Sequence, residues 1–280
     1  MIAFYGMGLL GSNFVRALRK RGEDVRVWNR TPARAEPLAA DGAIVCADPA
    51  DAARGASRLH LTLTDDAAVD EVLERARPGF APGVTIVDHS TCAPTGVAAR
   101  AARWAERGIA FQHAPVFMGP SNALASTGLM LASGDRARFE ALKLALTAMT
   151  GKLIYAGPGP ERAAAWKLLG NHFLMLFTAG VTETFALAKA LHVPHEEVGT
   201  LFEQFNPGAS LSQRVARVAS GKFDEPSWEL AMARKDARLM LEAGDGALAV
   251  LPALAALMDT WIAKGHGHDD WTVIGKDAVS

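Results

Sequence analysis

Three groups of residues have the types and spacing to do chemistry. Gly6-Met7-Gly8-Leu9-Leu10-Gly11 directly follows an apolar β-type run and opens a segment with helical spacing. In that setting the first glycine allows a tight turn and the second lets the backbone approach a pyrophosphate. The third lets the helix pack close to the sheet, while the helix N-terminus faces the phosphates. The end of the next β-type run, about 20 residues on, is where an NAD site carries Asp or Glu for the ribose. Here it reads Asn29-Arg30-Thr31. A guanidinium and a hydroxyl suit a 2′-phosphate that a carboxylate would repel, so NADP(H) is expected in preference to NAD(H). Thr31 and Pro32 also suit the start of a helix, which is the plainer reading of the same residues. The third group is Lys167 and Asn171, four apart and therefore on one face of any helix. The flanks Ala163–Ala165, Trp166, Leu168 and Leu169 are apolar, so this amine is not expected on a freely solvated face.

The elements that must position these groups change character midway. Ile2–Tyr5, Asp24–Trp28, Ala43–Cys46, Leu59–Leu63 and Val84–Asp88 are short apolar runs alternating with helical stretches such as Leu9–Lys20 and Ala67–Ala76. That alternation predicts α/β architecture, a doubly wound parallel sheet of Rossmann type. Runs at Ala110–Val116, Leu129–Ala132 and Lys152–Tyr155 follow, with a helix near Arg136–Met149. Gly157-Pro158-Gly159-Pro160 then breaks the pattern, and helical spacing takes over from Glu161 to Leu191 and around His195–Phe205, Leu211–Ala219, Trp228–Glu242 and Ala249–Ala263. Two domains are predicted, 1–157 as the nucleotide-binding domain and 158–280 as an all-helical one.

The chain has 280 residues, half of them hydrophobic, and a net charge of −1. Near-neutrality argues against a general nucleic-acid or membrane-surface binder. Cys46 and Cys92 form no CxxC pair, so neither a disulfide framework nor a metal site is expected, and a reducing cytoplasm fits. No basic segment precedes the first apolar run, so no signal peptide is expected. Apolar stretches such as Phe173–Val181 and Ala247–Met258 are short or interrupted by Pro252, and no membrane association is predicted. His266 and His268 have ligand-like spacing but read as a polar loop, and His172 is given no role.

Further segments resemble the β-hydroxyacid dehydrogenases, the group of 3-hydroxyisobutyrate dehydrogenase and the glyoxylate and succinic semialdehyde reductases. Asp88-His89-Ser90-Thr91-Cys92-Ala93-Pro94 resembles the family's D-x-S-T-x-x-P. The resemblance places Ser90 and Thr91 beside the nicotinamide and the substrate. His113-Ala114-Pro115-Val116-Phe117-Met118-Gly119 resembles D-A-P-V-S-G-G, whose serine and glycine amides hold a substrate carboxylate. This chain departs there: Phe117 and Met118 replace serine and glycine, Gly119 is kept, and a carboxylate substrate is put in doubt. Ser121 and Asn122 are the nearby polar replacements.

Gly157-Pro158-Gly159 with Lys167-Leu168-Leu169-Gly170-Asn171 resembles G-x-G…K-x-x-N-N, which makes Lys167 the general acid/base and Asn171 its positioning partner. Gly170 stands where the first asparagine of that pair would be. Trp228 followed by Lys235-Asp236 resembles an aromatic-then-K-D pattern. It implies a pocket wall at Trp228, a cofactor contact at Lys235, and an Asp236 that orients Lys167. Leu63 and Thr64 match a cofactor-contact position. The resemblance also implies that a long helix joins the two domains, that the helical domain pairs with its copy in a homodimer or larger, and that the substrate is a small hydroxy acid or semialdehyde. An imine reductase on the same scaffold and an inactive NADPH-binding interaction protein are the alternatives. Lys167 argues against both, while the Phe117-Met118 change argues for the imine reductase.

Overall fold

The computed structural model describes residues Met1–Val279. Two compact units divide it, Met1–His172 and the residues from Phe173 onward.

In the first unit β1 (Ile2–Tyr5) is buried along its whole length, as expected of a central parallel strand with both faces covered. It lies between β2 (Val25–Trp28) and β4 (Arg58–Leu61), with Phe4 opposite Val27 on one side and His60 on the other. With β3 (Ile44–Val45), β5 (Thr85–Asp88) and β6 (Ala110–His113), they form a six-stranded parallel sheet in the order β3-β2-β1-β4-β5-β6. That order is the dinucleotide-binding one, and it reverses direction between β1 and β4. Helix α1 (Leu9–Lys20) buries Phe14, Val15, Ala17 and Leu18 against the sheet. Helices α2 (Pro49–Ala53), α3 (Asp66–Ala76) and α4 (Pro94–Glu106) complete the layers. Asp48 and Asp65 cap α2 and α3 by accepting the N–H groups of Ala50 and Ala68.

The run Ala110–Val116, expected as one strand, serves two sheets. Ala114 N–H makes the last rung to Asp88 O at 2.7 Å, and Pro115 has no N–H to continue the ladder. The chain then enters β7 (Val116–Phe117), which pairs antiparallel with β8 (Leu129–Ala132) across the short helix α5 (Pro120–Ala125). Strand β9 (Lys152–Tyr155) follows α6 (Arg136–Thr147) and pairs parallel with β8.

Helix α7 (Arg162–Ala190) is 29 residues long. Its start is tied to the first unit: Ala163 and Ala164 are buried, and the Ala163 N–H donates to Ser133 Oγ. The division between the two compact units therefore falls inside α7. By length and composition alone α7 is apolar enough to cross a membrane, because it joins Phe173–Val181 to further apolar turns on both sides. Phe173, Leu174, Met175, Leu176 and Phe177 are each half exposed or more.

The second unit continues with α8 (His195–Gln204), α9 (Leu211–Ser220), α10 (Leu230–Gly244) and α11 (Leu251–Trp261). Leu230, Ala233 and Ala237 of α10 pack with Ala255, Met258 and Trp261 of α11 around Phe223 and Val273. Buried Asp270 accepts from Ser227, Thr272 and Arg217. Helix α10 begins two residues later than expected, because Trp228 O accepts from Trp271 N and Glu229 bridges to Asp270.

Candidate active site

The glycine turn between β1 and α1 is built against the end of β4. Gly6 has φ +92°, and a Cβ there would lie 2.9 Å from Leu63 Cδ2 and closer still to Thr62 O. A Cβ on Gly11 would run into Gly6 O and Thr62 Oγ1, and that hydroxyl donates to Gly6 O at 2.8 Å. At Gly8 a Cβ would meet nothing within 4 Å. The two outer glycines are thus required by the protein itself, and the middle one faces open space. Gly8 caps α1 with no side-chain acceptor, and the first turn carries no acid. Unclaimed N–H groups and the positive end of a helix dipole fit a pyrophosphate there. The Met7 and Leu10 side chains pack inward, so what this turn offers a phosphate is backbone.

Asn29 is a brace. Its Oδ1 accepts the Met7 N–H and its Nδ2 donates to Thr31 O, both at 2.8 Å, locking the glycine turn to the end of β2. Arg30 and Thr31 line the adjoining cleft together with Leu63 and Thr64. Arg34, which the residue-type argument passed over, lines this cleft and also the hollow on the other side of Gly8. Its signal in the sequence was a second arginine four positions after Arg30. Glu71, paired with Arg75, sits at the same cleft.

Behind the β4 and β5 ends lies a buried polar cluster. Ser90 Oγ accepts the Leu63 N–H at 2.9 Å while Ser90 N–H donates to Asp88 Oδ1 at 2.9 Å. Ser90 thereby ties two strand ends together, and the exposed Thr91 is the hydroxyl that reaches solvent. Burial pushes the Asp88 carboxyl up, but His113 and the Ser90 donors outweigh it, and the group sits below the usual carboxylate range. Arg100, fully buried, pairs with Asp66 at 2.8 Å and Asp70 at 2.6 Å, fixing α4 on α3. His60 and His89 lie alongside, and burial drives both imidazoles down, His89 to about 4.

Lys167 and Asn171 meet as expected: Lys167 Nζ donates to Asn171 Oδ1 at 2.9 Å. Burial lowers the Lys167 pKa from the ordinary lysine value. Its ammonium also lies 4.2 Å from the centre of the Phe117 ring. A Cβ on Gly170 would sit 2.7 Å from Phe117 Cε1 and closer to Cζ, so the ring fills the space that glycine leaves. Met118 packs against the core beside Gly128. Gly119 N–H donates to Asn122 Oδ1 at 2.9 Å, and Asn122 Nδ2 donates to Thr127 Oγ1.

In the helical unit Lys235 Nζ pairs with Asp236 Oδ1 at 2.9 Å, and the Trp228 ring meets Trp271 edge-on. Asp236 pairs with Lys235, and Lys167 with Asn171. Among the described residues no group of His, Cys, Asp and Glu has the arrangement of a metal site.

A GxGxxG turn at a sheet's switch point, backed by a strand order of this kind, defines a dinucleotide-binding Rossmann protein. A family model described as the NAD binding domain of 6-phosphogluconate dehydrogenase matches residues 1–157. The chain belongs to that family and is an NAD(P)-dependent oxidoreductase of the β-hydroxyacid dehydrogenase type, acting on a CH–OH group. It is 27% identical to 3-sulfolactaldehyde reductase of Escherichia coli (strain K12) over 281 residues, covering 98% of this chain and 94% of that protein. It is 32% identical to the cytokine-like nuclear factor N-PAC of Homo sapiens over 269 residues, 93% of this chain but only 47% of that protein. The solved imine reductase from Myxococcus stipitatus in complex with NADP+ shares the fold, with a TM-score of 0.89, 21% identity and 98% of each chain covered.

Proposed function

We propose that the protein is an NADPH-dependent reductase of a small carbonyl compound, with Lys167 as the proton donor. The observation that carries this is the half-buried Lys167 ammonium, pKa lowered, held by Asn171 on the first turns of α7. NADPH, when bound, would supply the hydride to the carbonyl carbon. Lys167 gives its proton to the carbonyl oxygen, and as the neutral amine it takes the proton back from the alcohol in the reverse direction. Asn171 Oδ1 aims the ammonium, leaving its amide N–H groups for the substrate oxygen. Arg30, Thr31 and Arg34 support the NADPH preference through charge-assisted contacts to a 2′-phosphate.

A second reading, reduction of an imine, is favoured by one observation: the Phe117 ring and the engaged Gly119 amide leave no anchor of the kind a hydroxy acid uses. The test is NADPH consumption by wild type and Lys167→Ala against glyoxylate, succinic semialdehyde, uncharged aldehydes and a cyclic imine, with NADH in parallel. Carbonyl turnover that vanishes with the alanine and is weak with NADH supports the reductase. Turnover of the imine alone, or indifference to losing Lys167, overturns it.

The oligomer is part of the same reading. A helix apolar on every side, as α7 is from Phe173 to Phe177, must be covered to be stable in water. A second copy of the chain is the occupant proposed, giving a homodimer or larger in the cytoplasm. Glu183 on the same helix accepts the N–H groups of Val250 and Leu251, which ties α7 to a polar helical unit. Light scattering on the eluted protein at the mass of one chain overturns this.

A further inference from the structure

The Phe117 ring occupies a place defined by two residues of one helix face. Lys167 and Gly170, three apart on α7, both meet it, the first through its ammonium and the second through the absence of a side chain. Around the ring the loop offers an anion few donors, the exposed Ser121 among them. Position 117 has no hydroxyl, the Gly119 amide is held by Asn122, the Asn122 amide is held by Thr127, and Met118 is packed inward. A carboxylate placed here would meet the negative face of an aromatic ring and lose hydration with no donor from Phe117 or Gly119 in return, and could pair only with the Lys167 ammonium that the reaction itself needs. An uncharged carbonyl carries no such cost, and the ring meanwhile stabilises the ammonium that must protonate it.

We propose that Phe117, seated in the space left by Gly170, is a specificity-determining residue that directs Lys167 to uncharged carbonyl compounds and excludes those bearing a carboxylate. This rests on the reading of Lys167 as proton donor.

The test uses the full chain with NADPH and aldehydes matched in carbon number, butanal against succinic semialdehyde and acetaldehyde against glyoxylate. In wild type kcat/KM for the uncharged member exceeds that of its partner by about tenfold or more, and Phe117→Ser lowers the ratio by about tenfold. Phe117→Leu, which keeps bulk and removes the ring, moves the pH profile of reduction to lower pH, because the ammonium loses its cation–π partner. Gly170→Ala lowers the melting temperature of wild type and does so less in the Phe117→Ser background, which reads the contact without any substrate.

A wild-type preference for the carboxylate, a ratio unmoved by Phe117→Ser, or no turnover of either pair overturns the proposal. If Lys167→Ala reduces butanal as fast as wild type, the reading of Lys167 fails, while the aldehyde ratio still judges Phe117.

Discussion

His60 Nδ1 and His89 Nε2 lie 2.9 Å apart in the buried layer of the sheet, and their partners assign both tautomers. His89 Nδ1 is 2.7 Å from Ala114 O, an acceptor only, so Nδ1 carries the proton and Nε2 offers a lone pair. His60 must then donate from Nδ1, and its Nε2 is left bare and without a partner. Both imidazoles are neutral in the folded protein. A second proton on His89 would place two N–H groups face to face.

Acid should therefore destabilise the fold in a defined window. The unfolded chain takes up protons near the ordinary histidine value of 6.5, whereas folded His89 holds out to about 4. The unfolded state thus binds more protons between these values, and stability falls as pH drops through them. The expected loss for His89 is about 3 kcal/mol by pH 4. Denaturant melts at pH 7, 5.5 and 4 measure it, and a flat profile would rule out the neutral pair.

Lys167 sets the pH dependence of turnover. Reduction needs the ammonium, so its rate falls as pH rises through a lysine pKa lying below the ordinary value, while alcohol oxidation rises over the same range. Lys167→Ala is expected to lower kcat by about 10²- to 10⁴-fold with NADPH binding retained. Initial rates in both directions, with fluorescence titration of the cofactor, check this.

Arg30 and Arg34 are expected to act on one phosphate. Replacing either with alanine should raise KM for NADPH by about 10- to 100-fold, the loss of a charge-assisted hydrogen bond, and leave KM for NADH nearly unchanged. Equal effects on the two cofactors would assign both arginines to the pyrophosphate end instead.

The three glycines of the turn should separate stability from binding. Gly11→Ala forces a methyl against Gly6 O and Thr62 Oγ1 and is expected to cost about 1–3 kcal/mol of stability. Gly8→Ala meets nothing in the protein, so its melting temperature should stay put while NADPH affinity drops. Thermal melts with and without NADPH distinguish the two.

Local patterns carried much of this into the sequence. The glycine turn, the parallel strands, the helical second half and the Lys167–Asn171 spacing are short-range signals that the structure places as expected. What was not legible depends on partners distant in the chain. Ala110–Val116 reads as one apolar run because apolarity does not reveal which sheet each residue joins. Asn29 and Ser90 read as ligand-facing polar groups, and residue type does not reveal the bracing hydrogen bonds they make with the backbone of Met7 and Leu63. Phe117 and Gly170 each look like a lone departure from a pattern, and only the fold shows that they touch.

That contact has a historical consequence. With Phe117 in place, a side chain at position 170 meets the far edge of the ring, so a change at 170 requires the ring to swing aside. Shrinking 117 first leaves a void instead of a clash. Positions 117 and 170 are coupled through that contact, and a library that varies position 170 alone is expected to favour glycine.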